Sequence, residues 1–222
     1  MSIFNLDANL IEWNLKTAQK FDDPVKNVIQ KGLQSSCTVF VMDETGEWSG
    51  SGFHIGNGLI VTASHVIPPD LSNKKHKIEI TFDSQTLYPA EIYASEPNID
   101  AGVLQCPQIA NNIPALSLGD SDAVEVGDLI AVIGAPEGFH DTATVGRISN
   151  VHQGLGPDSP SAAWNDILFY DADILEGSSG GMLINMNGEV IGTVMGVTGK
   201  HADIGVGENA ACPSNKIKGL LV

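Results

Sequence analysis

From Thr38 to Met195 the chain is a succession of short apolar runs, cut by glycine, asparagine and aspartate turn signals. Thr38-Val39-Phe40-Val41-Met42, Gly52-Phe53-His54-Ile55 and Leu59-Ile60-Val61-Thr62 come first. Ile78, Ile80 and Phe82 then alternate with polar residues, the period of a half-buried strand. Ala90 to Ala94 and Val103-Leu104 complete the first set. Leu129 to Ile133, Thr142 to Val151, Ile167 to Ile174, Met182-Leu183-Ile184 and Glu189 to Met195 form the second. Gly56-Asn57-Gly58 between two runs marks a hairpin. Many short strands at regular spacing, in two sets, predict two antiparallel barrels. The polar break Leu118-Gly119-Asp120-Ser121-Asp122 is the candidate domain boundary. No sequence repeat relates the two sets.

The two ends read differently. Leu10, Ile11, Leu15 and Ala18 share one helical face, with Asp7 as a cap. Asp23-Pro24 then supplies a cap followed by proline at the first helical position. Val25, Val28 and Ile29 follow at helical spacing, and Gly32 is the expected stop. Residues 1–34 therefore form a helical arm, ahead of barrels over 35–117 and 118–222. The arm either packs on the body or makes subunit contacts. A short helix from Asn215 to Leu221, capped by Ser214, closes the chain.

Charge and cysteine usage exclude several classes. Lys and Arg number 11 against 27 Asp and Glu, a formal charge of −16, which disfavours nucleic acid and anionic membranes as partners. The same charge favours solubility and attracts cationic peptides. Cys37, Cys106 and Cys212 are an odd set without Cys-x-x-Cys spacing, so neither a disulfide framework nor a zinc site is expected. They are read as small buried hydrophobes. Asp7 and Glu12 stand where a signal peptide needs a basic and then an apolar segment. No run approaches about 20 apolar residues. The expected location is the cytoplasm.

The chemistry centres on Gly177-Ser178-Ser179-Gly180-Gly181, between Ile167-Leu168-Phe169-Tyr170 and Met182-Leu183-Ile184. Glycines around a serine let the chain turn sharply and let a substrate carbonyl approach. Buried strands on both sides hold such a loop still. A serine nucleophile needs a base, and the base needs an orienting carboxylate. Of the six histidines, His65 ends the run Leu59 to Ser64, where a strand leaves the core. His54 lies inside a hairpin strand, and His76, His140, His152 and His201 lie in polar settings. Asp100 opens Asp100-Ala101-Gly102-Val103-Leu104, as either a turn residue or a carboxylate aimed at an imidazole.

Gly50-Ser51-Gly52-Phe53, Ile60-Val61-Thr62-Ala63-Ser64-His65-Val66, Asn98 to Leu104 and Gly177 to Gly181 follow the His, Asp, Ser order of chymotrypsin-like serine proteases. The chain resembles the HtrA, or Deg-type, branch most, also through Leu118 to Asp122 with Val126-Gly127-Asp128 and Ile133-Gly134-Ala135-Pro136. Asn187 to Gly192 and Pro213-Ser214-Asn215-Lys216 add to it. The resemblance covers about residues 35 to 222. It implies an all-β fold of two six-stranded barrels with the active site in the cleft between them. It also implies that Ser179 is the nucleophile, His65 the general base and Asp100 the orienting carboxylate. Backbone N–H groups of Gly177 and Ser179 would form the oxyanion hole. No metal or cofactor is implied. The branch usually carries a C-terminal PDZ domain, and this chain is expected to end before one.

By the same resemblance, Ser178 replaces the aspartate with which digestive relatives pair a freed N-terminus, so activation of that kind is not expected. Met195 replaces a serine that supports the aspartate in those relatives. Asp173, six residues before Ser179, takes the place that floors the primary pocket in trypsin-like enzymes. It predicts preference for Lys or Arg. HtrA-type pockets otherwise prefer small apolar residues. Met195 and Val197 lie on the segment expected to pair with substrate backbone. Gly154 to Asn165 and Thr198 to Gly205 are expected to be mobile loops. The expected function is a serine endopeptidase acting on unfolded or flexible proteins, with oligomerisation, as a trimer, through the arm. A protease-like module that binds without cutting is the alternative. An α/β-hydrolase esterase is excluded by residue order. No His-Glu-x-x-His, EF-hand or P-loop pattern is present.

Overall fold

The computed structural model describes residues 23–68, 76–135, 142–153, 165–197 and 209–221. Helix α1 spans Pro24–Leu33, and the Asp23 carboxylate accepts the N–H groups of Val25 and Lys26 at 3.1 and 3.3 Å. The cap is as expected; the stop is not. Gly32 is inside the helix and buried, and a Cβ there would strike the Ile133 side chain. This glycine serves close packing, which spacing along a helix does not distinguish from termination. The earlier helical segment, Asp7 to Ala18, lies outside the described residues.

The first barrel contains β1 (Ser36–Asp43), β2 (Gly46–Gly56), β3 (Leu59–Thr62), β4 (Lys77–Thr81), β5 (Tyr88–Glu96) and β6 (Ala101–Gln105). They close in the order β1-β2-β3-β6-β5-β4. The second contains β7 (Leu129–Gly134), β8 (Thr142–Gln153), β9 (Ile167–Tyr170), β10 (Met182–Asn185), β11 (Val190–Val197) and β12 (Asn209–Pro213), closing as β10-β11-β12-β9-β8-β7. Read from its own first strand, the second barrel repeats the order of the first. The all-β, two-barrel expectation is thus met, and one topology is built twice from unrelated residues. Strand β12 escaped the sequence reading. Asn-Ala-Ala-Cys-Pro has no β-branched or aromatic residue, and its place is secured by burial of all five residues between β11 and β9.

Three cores divide the structure. Cys37, Val39, Ile60, Ile80 and Leu104 fill the first barrel. Ile130, Val132, Leu168, Tyr170 and Leu183 fill the second. Phe53, Val61 and Val103 of the first barrel meet Ile133, Met182 and Val190 of the second, with Val28 of α1, in a shared layer. All three cysteines are free and buried, as expected, and burial pushes their thiols up, Cys212 to about 12. The final helix α2 is Ser214–Lys218, continued by a 3-10 turn over Gly219–Leu221. Ser214 does not cap it; its hydroxyl donates to Gly119 O at 2.8 Å and ties the chain end to the segment between the barrels.

His54 is fully buried and has a structural task. Its Nε2 accepts the Gly58 N–H at 3.2 Å, which leaves the proton on Nδ1 to be shared by the carbonyls of Ile113 and Pro114, both at 3.1 Å. The ring fastens the chain leaving the first barrel to the β2–β3 hairpin. Replacing it by leucine, His54→Leu, strands the Gly58 N–H and the Ile113 carbonyl, while Pro114 O keeps the Ser35 hydroxyl at 2.8 Å, and is expected to lower stability by about 2–4 kcal/mol. Urea unfolding, followed by fluorescence, measures the loss.

Candidate active site

Each predicted catalytic residue lies close to a strand end: His65 follows β3, Asp100 precedes β6 and Ser179 precedes β10. β3 ends at Thr62, and a 3-10 turn over Ser64–Val66 carries His65 out of the barrel. Asp100 closes the turn between β5 and β6 with φ of +51°, stabilised by its N–H on Pro97 O at 3.3 Å. That backbone region is uncommon for a residue with a Cβ, though Asp tolerates it better than most. It turns the carboxylate towards His65. Asp100 Oδ2 lies 2.8 Å from His65 Nδ1, and Oδ1 lies 3.0 Å from the same nitrogen. Oδ1 also accepts the His65 backbone N–H at 3.0 Å. This main-chain bond supplies the support that the sequence left without a named donor. The carboxylate is 14% exposed and the imidazole 48% exposed, so the ring is open to solvent on a sheltered anchor. Gly102 in β6 lies close against Ile67, whose side chain a Cβ there would strike.

Ser179 reaches the cleft from the second barrel. β2 and β3 separate before Ser51, and the freed Ser51 N–H donates to Ser179 O at 2.8 Å. The Ser51 hydroxyl donates to Gly177 O at 2.7 Å and accepts the Ala135 N–H at 2.9 Å. Thr62 Oγ1 donates to Ser51 O at 2.8 Å. Gly180 has φ of +87°, and a Cβ there would press into Ser51 O, Thr62 Oγ1 and Ala63 N. No other residue type fits so close a crossing. The nucleophile loop therefore rests against the segment that leads to His65. Among the described residues no acceptor takes the N–H of Gly177 or Ser179, whereas Ser178 N–H is spent on Leu175 O. The Ser178 hydroxyl accepts the Leu175 N–H at 3.1 Å, so this residue closes its own turn where an aspartate would need a cationic partner. Among the described residues the His65 ring is hydrogen-bonded to Asp100 alone, with no bond from Ser179 Oγ to Nε2; such bonds commonly tighten only with substrate bound.

The specificity candidates are less unified. Asp173 is exposed, its carbonyl accepts the Thr144 hydroxyl at 2.7 Å, and it borders a pocket of about 150 Å³ with Val132, Thr142 and Ser178. Met195 is 4% exposed and packs in the layer shared by the barrels, so it is chiefly a core side chain. Val197 pairs with Asn209 at the end of β11. β10 starts opposite Thr193, so beyond Val194 strand β11 has β12 on one edge and, among the described residues, no strand on the other. Most of the two loops expected to be mobile lies outside the described residues. Ser51 and Thr62 were missed as site residues. The only signal was a hydroxyl residue between two glycines in Gly50-Ser51-Gly52.

Two closed antiparallel barrels with a histidine–carboxylate pair and a glycine-bounded serine at their seam define the chymotrypsin-like class. The chain belongs to the trypsin-like peptidase domain family, whose model matches residues 50–192. It is 33% identical over 175 residues to periplasmic serine endoprotease DegP of Escherichia coli strain K12, covering 77% of this chain and 34% of that one. It is 31% identical over 183 residues to serine protease HTRA1 of Xenopus tropicalis, covering 82% and 37%. The chain thus spans about a third of the length of the curated relatives it matches. The HtrA-type protease AlgW with tripeptide superposes with a TM-score of 0.71 at 25% identity, covering 86% of this chain and 60% of that one. A protease from M. tuberculosis in its active form gives 0.74 at 25% identity, covering 89% and 84%.

The carboxylate geometry makes a prediction independent of activity. In Asp100→Asn the amide oxygen is held by the His65 backbone N–H, which leaves the amide NH2 facing Nδ1. Nδ1 then has to accept, and the ring proton moves to Nε2. Nitrogen chemical shifts of the His65 imidazole are expected to show this tautomer exchange; unchanged shifts would contradict the bonding described.

Proposed function

We infer that the chain is a serine endopeptidase that hydrolyses peptide bonds in unfolded or flexible protein segments. The observation that carries this reading is the 2.8 Å contact between His65 Nδ1 and Asp100, opposite a nucleophile loop docked on the same barrel. Asp100 holds the proton of His65 on Nδ1, leaving the Nε2 lone pair for Ser179. Ser179 Oγ attacks the scissile carbonyl as its proton passes to His65. The new oxyanion is received by the N–H groups of Gly177 and Ser179, each worth on the order of 10²–10³ in turnover. The imidazolium returns the proton to the leaving amine. Water, deprotonated by His65, then frees the acyl group from Ser179.

Substrate backbone pairs with the open edge of Met195–Val197, adding a strand to β11. Asp173 favours Lys or Arg before the cleaved bond; its exposed carboxylate and the acidic chain support this finer reading. Assembly through the helical arm, as a trimer, belongs to the same proposal.

Two measurements test it. The wild type is expected to be labelled by a fluorophosphonate probe, and Ser179→Ala is not; equal and negligible labelling of both would favour a binding module that does not cut. In a peptide-library digest, Asp173→Ala is expected to lose basic preference by about tenfold or more. An unchanged profile would remove Asp173 from the pocket.

A further inference from the structure

We propose that Ser51 is a positioning residue for the oxyanion hole, acting through its hydroxyl on the nucleophile loop. The proposal rests on the peptidase reading above. Ser51 belongs to β2 in the first barrel, while both oxyanion donors belong to the second. Its side chain is fully buried, and all its bonds run to elements that meet at the cleft.

The direction of the two donors depends on which peptide planes are held. The N–H of Gly177 belongs to the peptide that precedes Gly177, and the N–H of Ser179 to the peptide that precedes Ser179. Between them lies the peptide of Gly177 C=O and Ser178 N–H. Ser178 N–H is fixed on Leu175 O at 3.0 Å, and Gly177 C=O is fixed by the Ser51 hydroxyl at 2.7 Å. Both ends of the central plane are therefore anchored. Its orientation sets the direction of the donors on either side. Gly177 has φ of +85° and no Cβ, so only hydrogen bonding opposes rotation of its peptides. The second anchor on the loop, Ser51 N–H to Ser179 O at 2.8 Å, is a main-chain bond that survives side-chain substitution. The hydroxyl bond alone is open to a clean test.

Ser51 also links this plane to the end of β7. Its oxygen accepts the Ala135 N–H while its proton goes to Gly177 O, so one donor and one acceptor are both used. Removing the hydroxyl leaves the loop attached through Ser179 but free to turn at Gly177. Ground-state binding of a peptide depends on the pocket and on the β11 edge. The oxyanion exists only as the carbonyl becomes tetrahedral, so the loss falls on the transition state.

The test compares wild type, Ser51→Ala and Ser51→Cys, the last keeping side-chain bulk with a weak donor. Both variants are expected to lose about 10- to 100-fold in kcat on a peptide amide, with KM within about threefold. A peptide aldehyde, whose hemiacetal oxygen occupies the hole, is expected to weaken by the same factor as kcat/KM. A non-covalent product peptide is expected to bind as to wild type. Unchanged kcat in a variant that keeps wild-type labelling would overturn the proposal. So would a parallel loss of kcat, product-peptide affinity and thermal midpoint, since that pattern marks support of the fold alone. A wild type that neither cleaves nor labels would sink the peptidase reading, a result distinct from an active wild type with an equally active Ser51→Ala.

Discussion

The structure depends on one crossing, where the main chain of the nucleophile loop lies against the edge of β2. β3 leaves β2 to form the turn with His65, and the departure exposes the Ser51 N–H. Ser179 O takes that donor at 2.8 Å. The same separation of strands thus presents the histidine and creates the docking point for the serine. The distance of closest approach is set by Gly180, which has no side chain to hold the loop away. An unpaired N–H buried at this seam would cost about 1–3 kcal/mol, so leaving the crossing open is unfavourable in itself.

Around it, the barrels divide the work. The first barrel carries the imidazole, its carboxylate and the Ser51 anchor. The second carries Ser179 and, among the described residues, the two N–H groups without an acceptor and the unpaired edge of β11. Their shared layer, from Phe53 and Val103 to Ile133 and Met182, fixes how the halves meet. Closure of each sheet removes the slack that an open edge would allow, so a residue one step beyond a strand end is placed almost as firmly as one within it. The residues proposed for catalysis sit within a turn of such ends: His65 after β3, Asp100 before β6, Ser179 before β10. The repeated strand order without a repeated sequence fits this view. Ladder closure and alternation specify the barrel, and many residue choices satisfy both.

The legible parts were those written in local periodicity. Strong strands such as Thr38–Met42 and Leu59–Thr62 announced themselves through β-branched residues and turn glycines. Asp23-Pro24 named the start of α1 because a cap and a helical proline act within one turn. The illegible parts were long-range. Small residues in β12 pair only because β9 and β11 flank them. Gly32 and Gly102 owe their identity to Ile133 and Ile67, distant in the chain. Ser214 looks like a cap until Gly119 accepts its hydroxyl.

The order of residues by itself determined the class: two sets of short strands, a serine among glycines, a histidine where a strand ends, an aspartate before another. Those are local patterns, and it was their resemblance, in that order, to chymotrypsin-like proteases that joined them into one site. Only the tertiary structure decided that His54 is a buried brace, that Asp100 is supported by a backbone N–H, and that Ser51 grips the loop of Ser179. Each is a matter of distances between groups tens of residues apart. Closure and packing of the barrels set such distances, and no window of sequence contains them.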